Sequence, residues 1–307
     1  AAEAQLAWHR AAGARDNAGS LAMAADDFAR AIRCGEESVL ARDARVRRIR
    51  LLVFLERWGD AGEEARRLRL GQPNLSAIEA IVVKGAIALD ALSRNDLEIA
   101  AREIENARTV IEENQFDAAA QLQRDVAVVY FALGELRRLR GEQLRFVPLP
   151  SNFAEQLENR CQLLLDAQSA YSMAMRAYDA HWSVMAGYRV GQLYEDLHRD
   201  LMEMLKAVDL TGMNDKQLFE AALRLRYTIL LEKAATSLEH TLALAARTEE
   251  DSNWVMLARR ALENLHRAMA DERAAITAVP YTRAQLMQAL DELGARHRVN
   301  GPQKQPR

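Results

Sequence analysis

The segment LEIAAREIENARTV, residues 97–110, has Ala at position 100, Ile at position 104 and Ala at position 107. The same spacing of small, large and small residues recurs at two other places: Ala24, Phe28 and Ala31, and Ala167, Tyr171 and Ala174. On an α-helix, residues three or four apart share a face, so each set forms one stripe. Small residues let a neighbouring helix approach closely, and the large residue fills the space beside it. The recurrence predicts stacked pairs of helices rather than one globular core.

Composition also favours helices. The 307 residues include only 14 Gly and 6 Pro, so turns are few, and no long segment alternates apolar and polar residues as a strand would. We therefore predict an all-α fold, a helix-turn-helix solenoid with longer, bundle-like helices in its C-terminal half. The predicted helices are 2–16, 19–34, 37–57, 60–71, 75–92, 96–113, 116–145, 152–179, 181–207, 215–247, 251–278 and 282–293. The predicted regions are 1–145 as the solenoid, 151–297 as a degenerate helical region packed continuously with it, and 298–307 as a disordered tail.

Charge and cysteine content bear on the class of partner. The formal net charge is -3 and the basic residues are almost all Arg, which argues against a nucleic-acid-binding surface. No apolar run is long enough to span a membrane, so a transmembrane protein is not expected. Cys34 and Cys161 lie far apart without a CxxC motif, and we interpret them as two core thiols rather than a disulfide.

Further motifs fall where the first helix of each pair is expected. They are Trp8, Ala11, Ala12 and Arg15; Gly187, Val190, Gly191 and Tyr194; and Trp254, Leu257, Ala258 and Ala261. A second-helix stripe at Ala61, Ala65 and Leu68 is followed by Pro73, which stops the helix. Together these motifs resemble the tetratricopeptide repeat, clearly over residues 5–110 and in degenerate form over 116–270. The resemblance implies a superhelix whose first helices line a concave face that binds a peptide or helix of another protein.

The resemblance also implies which residues line that concave face. The expected partner-binding residues are His9, Asp16, Arg50, Val53, Glu79, Val82, Tyr188, Gln192 and Glu195, with Leu6, Asp43, Val46, Ala86 and Leu89 beside them. Such a mixture of apolar and charged side chains suits recognition of a helix in a groove. The alternative is that these residues only cover a surface.

Residues 178–201, together with the upstream segments 146–150 and 165–171, resemble parts of large repeat proteins from myxobacteria and related deltaproteobacteria. Several proteins of that group belong to the cell envelope, and some are tied to surface motility. The resemblance therefore implies a periplasmic or envelope-associated scaffold. A cytoplasmic location is equally compatible with the residues.

Two clusters of side chains each allow two interpretations. The densest basic run is Arg42, Arg45, Arg47, Arg48 and Arg50, which spreads around a helix and predicts an ion-paired, solvated face or a site for an anionic peptide or lipid headgroup. The aromatic residues Tyr178, Trp182, Tyr188 and Tyr194 predict core packing or a partner-binding surface.

Self-association is a second possible function. Apolar residues at the two ends of the array, around Leu6 at one end and Leu286 and Leu290 at the other, would need a polar cap to stay soluble. Exposed apolar residues at those positions would instead pair with another copy and make the protein a structural subunit.

A metal site is a third possibility. Glu195 and His198, and likewise Glu263 and His266, form Glu-x-x-His motifs that put two metal-ligand types on one helical face, as in di-iron carboxylate bundles. Glu158 and Glu232 are available as further carboxylates. The site requires the two helices to converge.

No glycine-rich phosphate loop or nucleophile elbow occurs, so a non-catalytic protein without a cofactor is the expectation.

Overall fold

The computed structural model describes residues 18–33, 39–71, 74–207 and 216–299. All regular secondary structure in these ranges is helical, which confirms the predicted all-α class. The helices there are α1 (Ala18–Arg33), α2 (Val39–Phe54), α3 (Trp58–Gly71), α4 (Ala77–Ser93), α5 (Leu97–Glu113), α6 (Arg124–Glu142), α7 (Phe153–Met175), α8 (Ala180–Ala207), α9 (Lys216–Thr248), α10 (Asn253–Thr277) and α11 (Arg283–Val299). None of them is both long and apolar enough to cross a membrane. The predicted helix 2–16, with Leu6, His9 and Asp16, lies outside the described residues.

Contacts between the helices follow a regular pattern. Each helix from α1 to α9 packs against the next one along the chain. Alternate helices also touch: α2 with α4, α4 with α6, α6 with α8 and α8 with α10, while α9 contacts α11. A row made of every second helix is what stacked helix pairs produce, so the packing is consistent with the predicted solenoid. Helices α7 to α10 contain 23 to 33 residues, in agreement with the predicted lengthening after residue 150.

The three predicted stripes lie inside the main hydrophobic core. Their buried members are Ala24 and Phe28 on α1, Ala100, Ile104 and Ala107 on α5, and Ala167, Tyr171 and Ala174 on α7. Ala31 packs partly buried against the same core, which includes residues from both predicted regions of the chain. Cys161 is a free, partly buried thiol, and Cys34 lies outside the described residues.

A second, smaller core joins the last described helix to α9. Phe219 and Ala222 of α9 pack against Leu286 and Leu290 of α11. Because both leucines are buried by this contact, the prediction that they form an exposed face for self-association is wrong. Helix α11 also continues to Val299, beyond the predicted end at residue 293.

The connection between α5 and α6 differs from the prediction. A helix was expected from residue 116, but α6 begins at Arg124. The Arg176 guanidinium at the end of α7 donates to the main-chain oxygen of Ala119 at 2.5 Å, and the Leu122 amide donates to the Arg176 oxygen at 3.0 Å. These tertiary contacts hold residues 117–122 outside a helix, although the run of alanines there has high helix propensity.

Among the described helices, five end in the same conformation. A non-glycine residue with a left-handed φ of 53–59° follows α2, α4, α5, α7 and α9: Glu56, Asn95, Gln115, Tyr178 and Glu249. In four of these endings the next amide donates to the carbonyl five residues earlier: Arg57 to Leu52, Asp96 to Ala91, Phe116 to Ile111 and Glu250 to Ala245. The hydrogen bond satisfies a carbonyl that the helix end would leave unpaired, so the chain can turn within a few residues.

Arginines bind the carboxylates that are buried between helices. Glu64 of α3 is held by Arg45 and Arg48 of α2, and Glu135 of α6 pairs with Arg189 of α8 at 3.0 Å. Other buried carboxylates with an arginine partner are Asp90, Glu103, Asp179, Asp196 and Glu272. The ion-paired interpretation of the basic run at 42–50 is confirmed, since all five of its arginines have a carboxylate partner. The guanidinium suits this role because its planar fork keeps its charge and binds a carboxylate at two points.

Candidate functional site

Two residues expected on the concave face are in the core. Val53 of α2 is only 5% exposed and Val82 of α4 only 6% exposed. The neighbouring residues Val46, Ala86 and Leu89 are buried as well. Helix α4 packs against both α2 and α6, and these side chains belong to the main hydrophobic core. Their assignment to a partner-binding groove is therefore wrong.

Two charged residues of the same predicted face are satisfied within the chain. The Arg50 guanidinium donates to the Asp125 carboxylate of α6 at 3.0 Å from Nε and 2.6 Å from Nη2. The Glu79 carboxylate accepts from Arg42 Nε at 2.7 Å and from the Ser76 amide at 2.7 Å. The hydrogen bond from Arg42 lowers the pKa of Glu79 to about 2, although partial burial opposes that shift. These charges connect α2 to α4 and α6.

Residues from the end of α2 reach across to α8 and α10. We call Phe54, Glu56, His181, Glu250 and Trp254 the clasp. Trp254 Nε1 donates to Glu56 Oε1 at 2.6 Å, although the two residues are 198 positions apart. The Phe54 and His181 rings lie 4.3 Å apart, and His181 Nδ1 is 3.4 Å from Glu250 Oε1. The clasp therefore brings the end of α2 to the beginnings of α8 and α10.

The remaining residues of the predicted face lie on α8 and are partly exposed. The Tyr188 ring packs against the Trp254 ring with centroids 5.4 Å apart. Gln192 accepts a hydrogen bond from Arg189 at 2.7 Å. Burial raises the pKa of Glu195, and the neighbouring Asp196 carboxylate raises it further. Tyr188 thus packs against Trp254, which is a residue of the clasp.

The aromatic cluster around the α7–α8 junction is divided between the core and the surface. Trp182 and Tyr194 are buried, as the core-packing interpretation predicts. Tyr178, in the connection between the helices, is 74% exposed.

The two Glu-x-x-His motifs do not meet. His198 is buried and interacts with Glu272 of α10 and Arg224 of α9. Glu263 and His266 are exposed on α10, where His266 Nε2 is 3.9 Å from Glu239 Oε1. The additional carboxylates, Glu158 and Glu232, are exposed too. In the part of the chain that the structure describes, no group of three or more His, Cys, Asp or Glu residues is placed to hold a metal ion.

A cavity of about 560 Å³ lies between α9, α10 and α11, and we call it the groove. Its apolar lining consists of Leu225, Ile229, Met269, Ile276, Tyr281 and Leu286. Ile229 is 48% exposed in the middle of α9. The volume is typical of sites that receive a ligand or the anchoring side chains of a partner.

The polar groups of the groove differ in what they offer to a ligand. The Thr228 and Thr277 hydroxyls donate to the Arg224 and Arg273 main-chain oxygens of their own helices, at 2.9 and 2.5 Å. The Arg273 and Arg283 side chains are exposed, and neither guanidinium has an ion pair or hydrogen bond within the described ranges. Glu232 lines the same cavity and is also exposed. The groove therefore combines an apolar lining with two cations that are free to bind a ligand.

The sequence contains little that indicates the groove. Pro280 and Thr282 mark the break between α10 and α11, but they do not show that α11 folds back onto α9. That contact depends on Phe219 and Leu286, which are 67 positions apart in the sequence. An apolar residue such as Ile229 on the exposed side of a helix is the one local signal, and it can be recognised only when the covered side is known.

A comparison with models of known protein families and with curated proteins found no match.

Proposed function

We propose that this chain is a non-catalytic, tetratricopeptide-like scaffold that binds another protein, and that the groove between α9, α10 and α11 is its binding site. The groove itself is the observation that carries this proposal. Apolar pockets flanked by polar groups are typical of sites where an extended or helical segment inserts a few anchoring side chains. The groove is preferred to the predicted concave face because Val53 and Val82 are buried and Arg50 is paired with Asp125.

Binding affinity would come from a small number of apolar anchors. Leu286 lies at the base of the groove and is 1% exposed, whereas Ile229 is about half exposed and accessible. A partner side chain that covers Ile229 removes further apolar surface from water, which contributes roughly 25 cal/mol per Å². Unlike the buried valines of α2 and α4, the groove can be occupied without separating helices.

A charge placed in the groove tests this function. We expect Ile229→Lys to abolish capture of partner proteins by the immobilised chain, because the ammonium group would be buried by an apolar ligand. The matched control is Leu165→Lys, since Leu165 is 51% exposed on α7, outside the groove. Both variants should keep the wild-type circular dichroism spectrum and melting temperature. If Ile229→Lys retains every partner that Leu165→Lys retains, the groove is not the binding site.

A further inference from the structure

Two arginines line the groove without a carboxylate partner among the described residues. Some exposed arginines are paired, since Arg69 binds Glu103 at 2.9 Å and Arg124 binds Asp179 at 2.8 Å, whereas others, such as Arg226 and Arg260, have no carboxylate partner among the described residues. Arg224, close to the groove on α9, binds both Glu220 and Glu272 at 3.0 Å. By contrast, no described carboxylate lies within ion-pair distance of Arg273 or Arg283, although both side chains line a cavity.

We propose that the groove binds an apolar segment of a partner protein that carries an acidic side chain, and that Arg273 and Arg283 bind its carboxylate; this inference rests on the function proposed above. Charge complementarity is the basis for this choice of ligand. A guanidinium binds a carboxylate through two parallel hydrogen bonds, and partial burial by an apolar ligand strengthens that contact. Thr228 and Thr277 already donate within their helices, so the two arginines supply the available charged donors.

Glu232 adds a directional element to the same site. Its carboxylate lines the groove without an ion pair among the described residues, and it would repel an acidic ligand that approached it. The ligand carboxylate is therefore directed towards the arginines of α10 and α11 and away from α9. Removal of this repulsion should strengthen the binding of an acidic segment.

Three labelled peptides serve as the probe. Each is an amphipathic helix of about 14 residues with Leu at positions i, i+3, i+4 and i+7, and the residues that flank this stripe are Glu, Gln or Lys. With the full chain, we expect the Glu peptide to bind about fivefold more tightly than the Gln peptide by fluorescence polarisation, and the Lys peptide to bind most weakly. Double substitution Arg273→Gln and Arg283→Gln should remove the preference for Glu. Glu232→Gln should increase it.

The control variant for charge is Arg260→Gln, because Arg260 is exposed on α10 and does not line the groove. This variant should bind the Glu, Gln and Lys peptides with the same order of affinities as the wild-type chain. If the Glu and Gln peptides bind equally well and Ile229→Lys abolishes both, the proposed acidic ligand is wrong while the binding site stands. If none of the peptides shows saturable binding below about 1 mM, or if Ile229→Lys leaves their binding intact, the acidic-segment proposal is wrong. The capture experiment above then decides the wider function separately.

Discussion

His198 is a buried residue whose protonation is opposed by its surroundings. It lies on α8 against Glu272 of α10 and Arg224 of α9, and its Nε2 atom has no hydrogen-bond partner. Burial lowers the pKa of His198 below its usual value of 6.5, and Arg224 lowers it further, while Glu272 acts in the opposite direction. The folded state therefore binds fewer protons at this side chain than the unfolded state once the pH falls through about 6.5.

This difference predicts that acid destabilises the protein through His198. We expect the contribution of His198 to the free energy of unfolding to fall between pH 7 and pH 5, because protons bind to this side chain preferentially in the unfolded chain over that range. His198→Leu should make the decline shallower and change stability little at pH 8, where the imidazole is neutral in both states. His266→Leu, at an exposed histidine of α10, is the matched control for the loss of an imidazole. Urea unfolding at a series of pH values measures the free energy of unfolding of each variant. If this free energy changes equally with pH in wild type and His198→Leu, the assignment of the pH dependence to His198 is wrong.

At the scale of the helices, small residues set how closely neighbours approach. A Cβ atom added at Gly134 of α6 would lie 2.5 Å from the Tyr171 ring of α7. The Tyr171 hydroxyl donates to the Glu135 carboxylate at 2.5 Å, so the ring cannot move without disturbing a buried hydrogen bond. The tyrosine of one predicted stripe is therefore held against a glycine of the neighbouring helix.

Gly134→Ala should consequently destabilise the protein by about 1–3 kcal/mol, because overpacking forces the ring or the backbone to shift. The control is Gly59→Ala in the first turn of α3, where nothing lies within 4 Å of the added atom. That change should leave stability unaltered or raise it by up to about 1 kcal/mol, since alanine loses less backbone entropy on folding. Thermal or denaturant unfolding compares the two variants. If Gly134→Ala is as stable as Gly59→Ala, α6 and α7 tolerate a wider separation than the structure shows.

At the scale of the whole molecule, the clasp joins helices that the order of packing keeps apart. Helix α2 packs against α1, α3 and α4, yet its last residues and the following turn reach α8 and α10. Glu56 has a left-handed φ of 58° at this turn, which directs its side chain to the Trp254 indole. The contact ties the end of α2 to the beginnings of α8 and α10.

We expect Trp254→Phe to destabilise the chain by about 1–2 kcal/mol, because it removes the hydrogen bond to the Glu56 carboxylate while keeping an aromatic ring against Tyr188. A double-mutant cycle with Glu56→Ala isolates the interaction, and α2 and α10 should exchange amide hydrogens faster in each variant. Trp58→Phe is the control, since Trp58 packs against Phe131 with ring centroids 6.2 Å apart and lies outside the clasp. A coupling energy below about 0.5 kcal/mol would mean that the clasp contributes little.

The sequence by itself determined the all-α class, the approximate position of most described helices and the buried stripes on α1, α5 and α7. These features depend on local spacing, because residues three and four apart share a helical face whatever surrounds the helix. Tertiary structure decided the rest. It placed Val53 and Val82 in the core, kept residues 117–122 out of a helix and formed both the clasp and the groove. Local periodicity shows which face of a helix is apolar, but not which neighbour covers it. That depends on contacts between residues far apart in the sequence, such as Glu56 with Trp254 and Phe219 with Leu286.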